Sequence, residues 1–178
     1  MTKPTPTHVH TALIGAGFGG IGAAMRLKDS GDNDFLVFER ATEIGGTGQA
    51  NTYPGAQCDI PSVLYSYSFA PNPDWTRLYP LQRELKAYIE RCVDDSGIRS
   101  RIRLGHDVTD ASWDDLAQVW QITAGGQHFT ATVMVLATGP FSEPSIPNLP
   151  GLEDFSGPAF HSAEWRHDVD LRGKAVGV

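Results

Sequence analysis

Gly15, Gly17 and Gly20 stand in the spacing G-x-G-x-x-G, and Glu39 follows 19 residues after the last of them. Those residue types at that spacing are suited to holding a dinucleotide. The first glycine permits a tight turn, and the second lets backbone approach a diphosphate. The third lets a helix pack closely against the preceding strand. Phe18 and Gly19 fall where a helix start offers free N–H groups and the positive end of its dipole to phosphate oxygens. A carboxylate at Glu39 can accept hydrogen bonds from a ribose hydroxyl pair, which suits FAD or NAD and repels the extra phosphate of NADP. Arg40, next in sequence, leaves the choice open: it either engages a ligand or remains a solvated charge over the adenine edge.

These residues need a frame. The segment 8–14 predicts a short strand running into the glycines, 19–28 the helix after it, and 35–39 a second strand buried on both faces. Strand, glycine turn, helix and strand within about 30 residues form a βαβ unit. Residues 42–62 are glycine-rich and irregular, too long for a simple connector. A second helix is expected over 81–94, with Leu81, Leu85, Tyr88, Ile89, Cys92 and Val93 on one apolar face and Gly97 as its stop. Short β segments follow at 108–113, 119–123 and 129–136, with Gly125-Gly126 turning between the last two. The final strand opens into Ala137-Thr138-Gly139. Five prolines from Pro140 to Pro158 exclude a helix or central strand there and predict a stiff crossing.

The expected fold class is therefore α/β, a Rossmann-like dinucleotide-binding domain with a small β-meander. Its expected divisions are a first domain over 1–139, a linker over 140–172, and 173–178 as the first strand of a further domain.

Composition narrows the function. A net charge of −7 argues against a nucleic-acid partner. No apolar run approaches the roughly 20 residues that cross a bilayer, and the opening MTKPTPTHVH lacks the apolar stretch of a signal peptide. Two cysteines make no disulfide framework, so a reducing cytoplasm is the expected location. The absence of a C-x-x-C pair disfavours disulfide reduction, and no metal-ligand spacing occurs.

Two further blocks carry a family resemblance. One is Gly45-Gly46-Thr47 followed by Asn51-Thr52-Tyr53-Pro54-Gly55-Ala56-Gln57-Cys58-Asp59-Ile60-Pro61-Ser62. The other, Phe155 to Trp165, spells F-x-G-x-x-x-H-x-x-x-W. With the glycine turn and Ala137-Thr138-Gly139, they make a sequence that resembles the class B flavin monooxygenases of the Baeyer–Villiger type over nearly its whole length.

The resemblance implies FAD on the first Rossmann-like unit and NADPH on a second unit that the chain stops short of, with another segment or chain completing the fold. It implies Gly46 and Thr47 against the flavin, Asp59 beside the isoalloxazine ring, Tyr65 near it, and Val108 by the adenine. Gln57, Cys58 and Asp59 would border the nicotinamide. Asp59 is expected either as a buried carboxylate steadying an arginine beside the flavin or as a loop cap, and Cys58 as a packed side chain. Phe155 and Trp165 are expected as packing anchors, Gly157 as a backbone requirement, and His161 as a hydrogen-bonding pivot or a satisfied linker histidine.

The implied chemistry passes hydride from NADPH to FAD, forms a C4a-peroxyflavin with O2, and inserts oxygen into a ketone. Alternatives of the same architecture oxygenate nitrogen or sulfur, or bind FAD without catalysis. Two departures stand out. Gly48-Gln49-Ala50 replaces the aromatic residues usual after Gly-Gly-x, and Gln57 replaces a frequent arginine.

Overall fold

A computed structural model describes residues 5–178, so the first four residues of the MTKPTPTHVH lead lie outside the described residues. The elements run β1 (Thr7–Ile14), α1 (Phe18–Asp29), β2 (Phe35–Phe38), α2 (Thr47–Ala50), α3 (Gln82–Ser96), β3 (Ile102–Arg103), β4 (Val108–Asp114), β5 (Val119–Ala124) and β6 (Gln127–Leu136). All six strands form one sheet in the order β3-β2-β1-β6-β5-β4. β1 pairs in parallel with both β2 and β6, and β2 in parallel with β3. β5 is antiparallel to β4 and β6. The long β6 serves both halves: its first residues pair with β5, while Phe129 to Leu136 run along β1. The meander is thus an extension of the Rossmann-like sheet.

The apolar run Phe35-Leu36-Val37-Phe38 is buried on both faces, as its composition predicts. Because successive side chains alternate across a strand, Phe35 and Val37 join Leu13 beneath α1 and α3. Leu36 and Phe38 join Ala12 and Ile14 against Ile122 and Phe129 of the meander. Full burial of each Phe or Leu in these clusters contributes about 1.5–3 kcal/mol. In α3, Leu85, Tyr88, Ile89, Cys92 and Val93 are buried at the predicted spacing, and Gly97 ends the helix in the left-handed region at φ 69°. Gly125 and Gly126, at φ 55° and 73°, turn β5 into β6.

Two elements exceed the sequence reading: the four-residue α2 inside the glycine-rich stretch and the two-residue β3 at the sheet edge. Neither is long enough to show a period. The segment 173–178, expected as a strand, has no regular structure and is exposed. A strand gains its ladder bonds only from a neighbour, and none of the described strands pairs with it. No helix among the described residues is long and apolar enough to cross a membrane.

Candidate dinucleotide site

β1, β2 and β6 run in parallel, so their carboxyl ends Ile14, Phe38 and Leu136 come together at one edge of the sheet. The chain beyond β1 turns to one neighbour and arrives from the other, the kind of switch point where open α/β sheets hold ligands. Three backbone bonds lock this edge. Gly15 N–H donates to Phe38 O at 2.8 Å, Ala137 N–H to Ile14 O at 2.8 Å, and Gly45 N–H to Ala16 O at 3.0 Å.

The glycines divide the work much as their spacing predicts. Gly15 has φ +105°, and a Cβ on it would lie 2.5 Å from Ala137 O. A Cβ on Gly20 would lie 1.8 Å from Gly15 O. The third glycine therefore lets the helix close onto the turn itself. Gly17 differs: its added Cβ would meet only Gly46, at 3.5 Å. Gly17 is the N-cap of α1, so no side chain caps the helix, and its first turn carries no acidic residue. The early N–H groups have no intrahelical acceptor, leaving a bare, positive helix end suited to an anion.

Glu39 is buried at the end of β2. Its carboxylate accepts from Ala16 N–H at 2.8 Å and from Ala41 N–H at 2.9 Å. The side chain is thereby fixed to the glycine turn, with lone pairs left for further donors. It borders a cleft of about 160 Å³ that is also lined by Gly15, Val108, Thr138 and Ser142. The cleft brings Gly15, Glu39, Arg40 and Val108 together. His106, Asp107, Thr138 and Ser142 complete it; sequence reasoning did not single these out, though the Ala137-Thr138-Gly139 turn was the available signal for Thr138. A larger hollow of about 500 Å³ lies between α1 and the side of β1, near His10, Thr11 and Leu13. Its walls are mostly aliphatic, whereas the smaller cleft is lined by Glu39, Arg40, His106, Asp107, Thr138 and Ser142 and lies beside Gly15 of the glycine turn.

Arg40 points to the proline-rich crossing, donating to the Glu143 carboxylate and the Ser142 carbonyl. The bond to Glu143 raises its pKa further above the ordinary arginine value. Its charge is thus engaged within the chain.

Other candidate residues form separate groups. Gly46, at φ 56°, precedes α2, and a Cβ on it would reach Gly17 Cα at 3.0 Å; Thr47 beside it is exposed. Phe18 turns its ring away from the cleft, 4.6 Å from the Tyr65 ring and 5.2 Å from the Tyr67 ring. The Tyr67 hydroxyl donates to Phe18 O at 2.6 Å. The Phe18 ring therefore belongs to the core, and Gly19 is exposed at the helix start.

Gln57, Cys58 and Asp59 are held through backbone: Cys58 N–H donates to Pro80 O at 2.9 Å, and Gln57 pairs with Leu81. Burial, followed by the nearby Cys58 and Asp59, raises the Tyr65 phenol. Asp59 is exposed within this chain, on a 57–60 loop anchored by its main chain, so any burial of its carboxylate comes from the second unit that the resemblance implies. No hydrogen bond or ion pair involves the Asp59 side chain among the described residues, so the loop-cap reading is not met.

The F-x-G-x-x-x-H-x-x-x-W segment stands apart. His161 Nδ1 accepts from Ala163 N–H at 3.1 Å, capping the short turn Ser162–Glu164. Trp165 packs edge-to-face on Phe160 at 5.2 Å, and Phe155 is 60% exposed. A Cβ on Gly157 would lie 2.7 Å from Phe155 Cζ, a contact that the exposed ring can relieve by rotating. Just beyond the segment, His167 Nε2 and Thr52 Oγ1 lie 2.9 Å apart, joining this stretch to the flavin-loop candidate block.

Comparison with known proteins agrees with this geometry. The model of the family described as pyridine nucleotide-disulphide oxidoreductase matches residues 12–178. A Baeyer–Villiger monooxygenase of Streptomyces coelicolor is 48% identical over 171 residues, covering 96% of this chain and 33% of the relative. Cyclohexanone monooxygenase from Rhodococcus sp. Phi1, solved bound to NADP+, superposes with TM-score 0.84 at 36% identity, covering 95% of this chain and 33% of that one. OTEMO, solved with FAD and NADP, superposes with TM-score 0.82 at 29% identity over 95% of this chain and 33% of its own. The chain spans about a third of the length of the curated relatives it matches. It belongs to the pyridine nucleotide-disulphide oxidoreductase family, and its resemblance there is to the Baeyer–Villiger monooxygenases.

Proposed function

We propose that this chain is the FAD-binding portion of an NADPH-dependent monooxygenase that inserts oxygen into ketones. The observation that carries the reading is the buried Glu39 carboxylate, fixed by Ala16 and Ala41 N–H groups beside an uncapped helix start. The fit to FAD is chemical. The α1 N-terminus and Gly17 suit the diphosphate, and Glu39 suits the ribose hydroxyls. Val108 supplies an apolar wall for the adenine. Gly46 and Thr47 lie on the far side of Gly17, toward the flavin end, and Gln57, Cys58, Asp59 and Tyr65 extend that side. Arg40, already neutralised by Glu143, supplies no free cation for a 2′-phosphate.

When bound, FAD supplies the redox chemistry that takes hydride from NADPH and activates O2. The residues of this chain orient that group and shield it; none is required as a nucleophile. NADPH, the ketone and the segment completing the fold belong to the rest of such an enzyme. The half-buried Gly48-Gln49 pair and the exposed Ala50 offer no large ring to exclude water, so shielding there falls to that same segment. Cys58 and Cys92 are both free thiols, which suits a cytoplasmic setting. The test is a titration comparing FAD with FMN. FAD is expected to bind and FMN, lacking the adenosine half, to bind at least about tenfold more weakly, a loss of about 1.4 kcal/mol. Equal affinities would contradict the assignment of the cleft.

A further inference from the structure

We infer that Glu143 is a positioning residue: through Arg40 it clasps the proline-rich crossing over the mouth of the Glu39 cleft and slows release of the bound dinucleotide. The inference rests on the FAD reading above.

The two ends of the clasp are 103 residues apart in sequence and come from different parts of the fold. Arg40 leaves the end of β2, beside the carboxylate that defines the cleft. Glu143 belongs to the crossing that leaves β6 through Gly139, where φ is +70°. One guanidinium holds two points on that crossing, the Glu143 side chain and the Ser142 carbonyl. Two-point attachment by a planar fork fixes direction as well as distance. Ser142 itself lines the cleft, so what Arg40 holds is part of the wall.

The flanking residues favour a built strap. Pro140 and Pro144 bracket Ser142 and Glu143, and fixed φ angles reduce the entropy lost when the strap closes. The surrounding charge points the same way: Glu39 and Asp107 line the same cleft as Arg40. A guanidinium so placed is held at the mouth and has no reason to swing outward. The pair is exposed, so its effect is modest and sensitive to salt.

The experiment measures FAD dissociation from the chain by stopped-flow, with Glu143→Gln, Arg40→Gln and the double variant, alongside amide exchange of residues 139–145 without flavin. Each single variant is expected to release FAD about three- to fivefold faster at low salt. The double variant should be no faster than the faster single, because both remove one interaction. Wild type at high salt should approach Glu143→Gln, and that variant should also speed exchange in 139–145. Flavin held by wild type with an unchanged rate in Glu143→Gln overturns the clasp alone, as do additive effects or unchanged exchange. A folded wild type that holds no flavin overturns the release role together with the FAD reading.

Discussion

Gly20 and Gly157 both lie in motifs with fixed glycine spacing, and a Cβ would collide at each, yet the collisions differ in kind. At Gly20 the obstacle is the Gly15 carbonyl, 1.8 Å away and locked into the edge of the sheet. At Gly157 it is the Phe155 ring, 2.7 Å away on a side chain that is 60% exposed. Backbone cannot move without moving the sheet; an exposed ring can rotate. The glycine turn therefore specifies a site whose geometry is built into the fold. The F-x-G-x-x-x-H-x-x-x-W segment specifies local packing among its own side chains, with a side-chain link, Thr52 to His167, from just past its end to the flavin-loop candidate block.

The contrast can be broken at several points. The largest effect is expected from Gly20→Ala, which should destabilise the chain by about 3 kcal/mol or more in urea unfolding, since the clash is with fixed backbone. Wild-type stability in that variant would mean the turn is looser than described. Gly17→Val should act on the ligand more than on the fold, because the space beside Gly17 is bounded only by Gly46. It is expected to weaken FAD binding by roughly 10- to 100-fold, read by fluorescence titration, while circular dichroism stays native.

A third test concerns the aromatic layer under the turn. Burial pushes the Tyr88 phenol up from 10.0 to about 12 and the Tyr67 phenol up as well. A raised phenol favours the neutral form in the folded state, so this contribution is complete below pH 10. It is lost as pH rises from 10 toward 12, where the unfolded chain binds fewer protons. The midpoint of thermal unfolding should fall across that window, and the fall should shrink in Tyr88→Phe. A flat profile would contradict the burial of these hydroxyls. The smallest effect is expected from Gly157→Ala, under about 1 kcal/mol of stability, with FAD affinity unchanged. A large loss there would show that the segment is coupled to the sheet after all.

Much of the cleft was legible in the sequence because it depends on local rules. An apolar run buried on both faces announced β2, glycine spacing announced the turn, and a carboxylate at the end of β2 announced Glu39. Gly97 marked the end of α3 because a left-handed cap favours glycine. Other features depend on where distant residues meet. The pairing of Arg40 with Glu143 and the burial of the Phe18 ring beside Tyr67 follow only from the assembled sheet. β3 exists because Ile102 and Arg103 fall alongside Val37 and Phe38, a register no two-residue pattern can announce. For Asp59 the resemblance leaves two roles open, and this chain sets only its backbone surroundings: Gln57 and Cys58 are tied by main chain, with the carboxylate facing outward.

The central claim is that the edge formed by Gly15, Gly17, Gly20 and Glu39 holds FAD. Its most direct test is the visible absorption spectrum of the purified chain after FAD loading and gel filtration, run beside Gly17→Val. A structured flavin band eluting with the wild-type protein and absent from the folded variant is the predicted result. A colourless wild-type peak with native circular dichroism would contradict the claim.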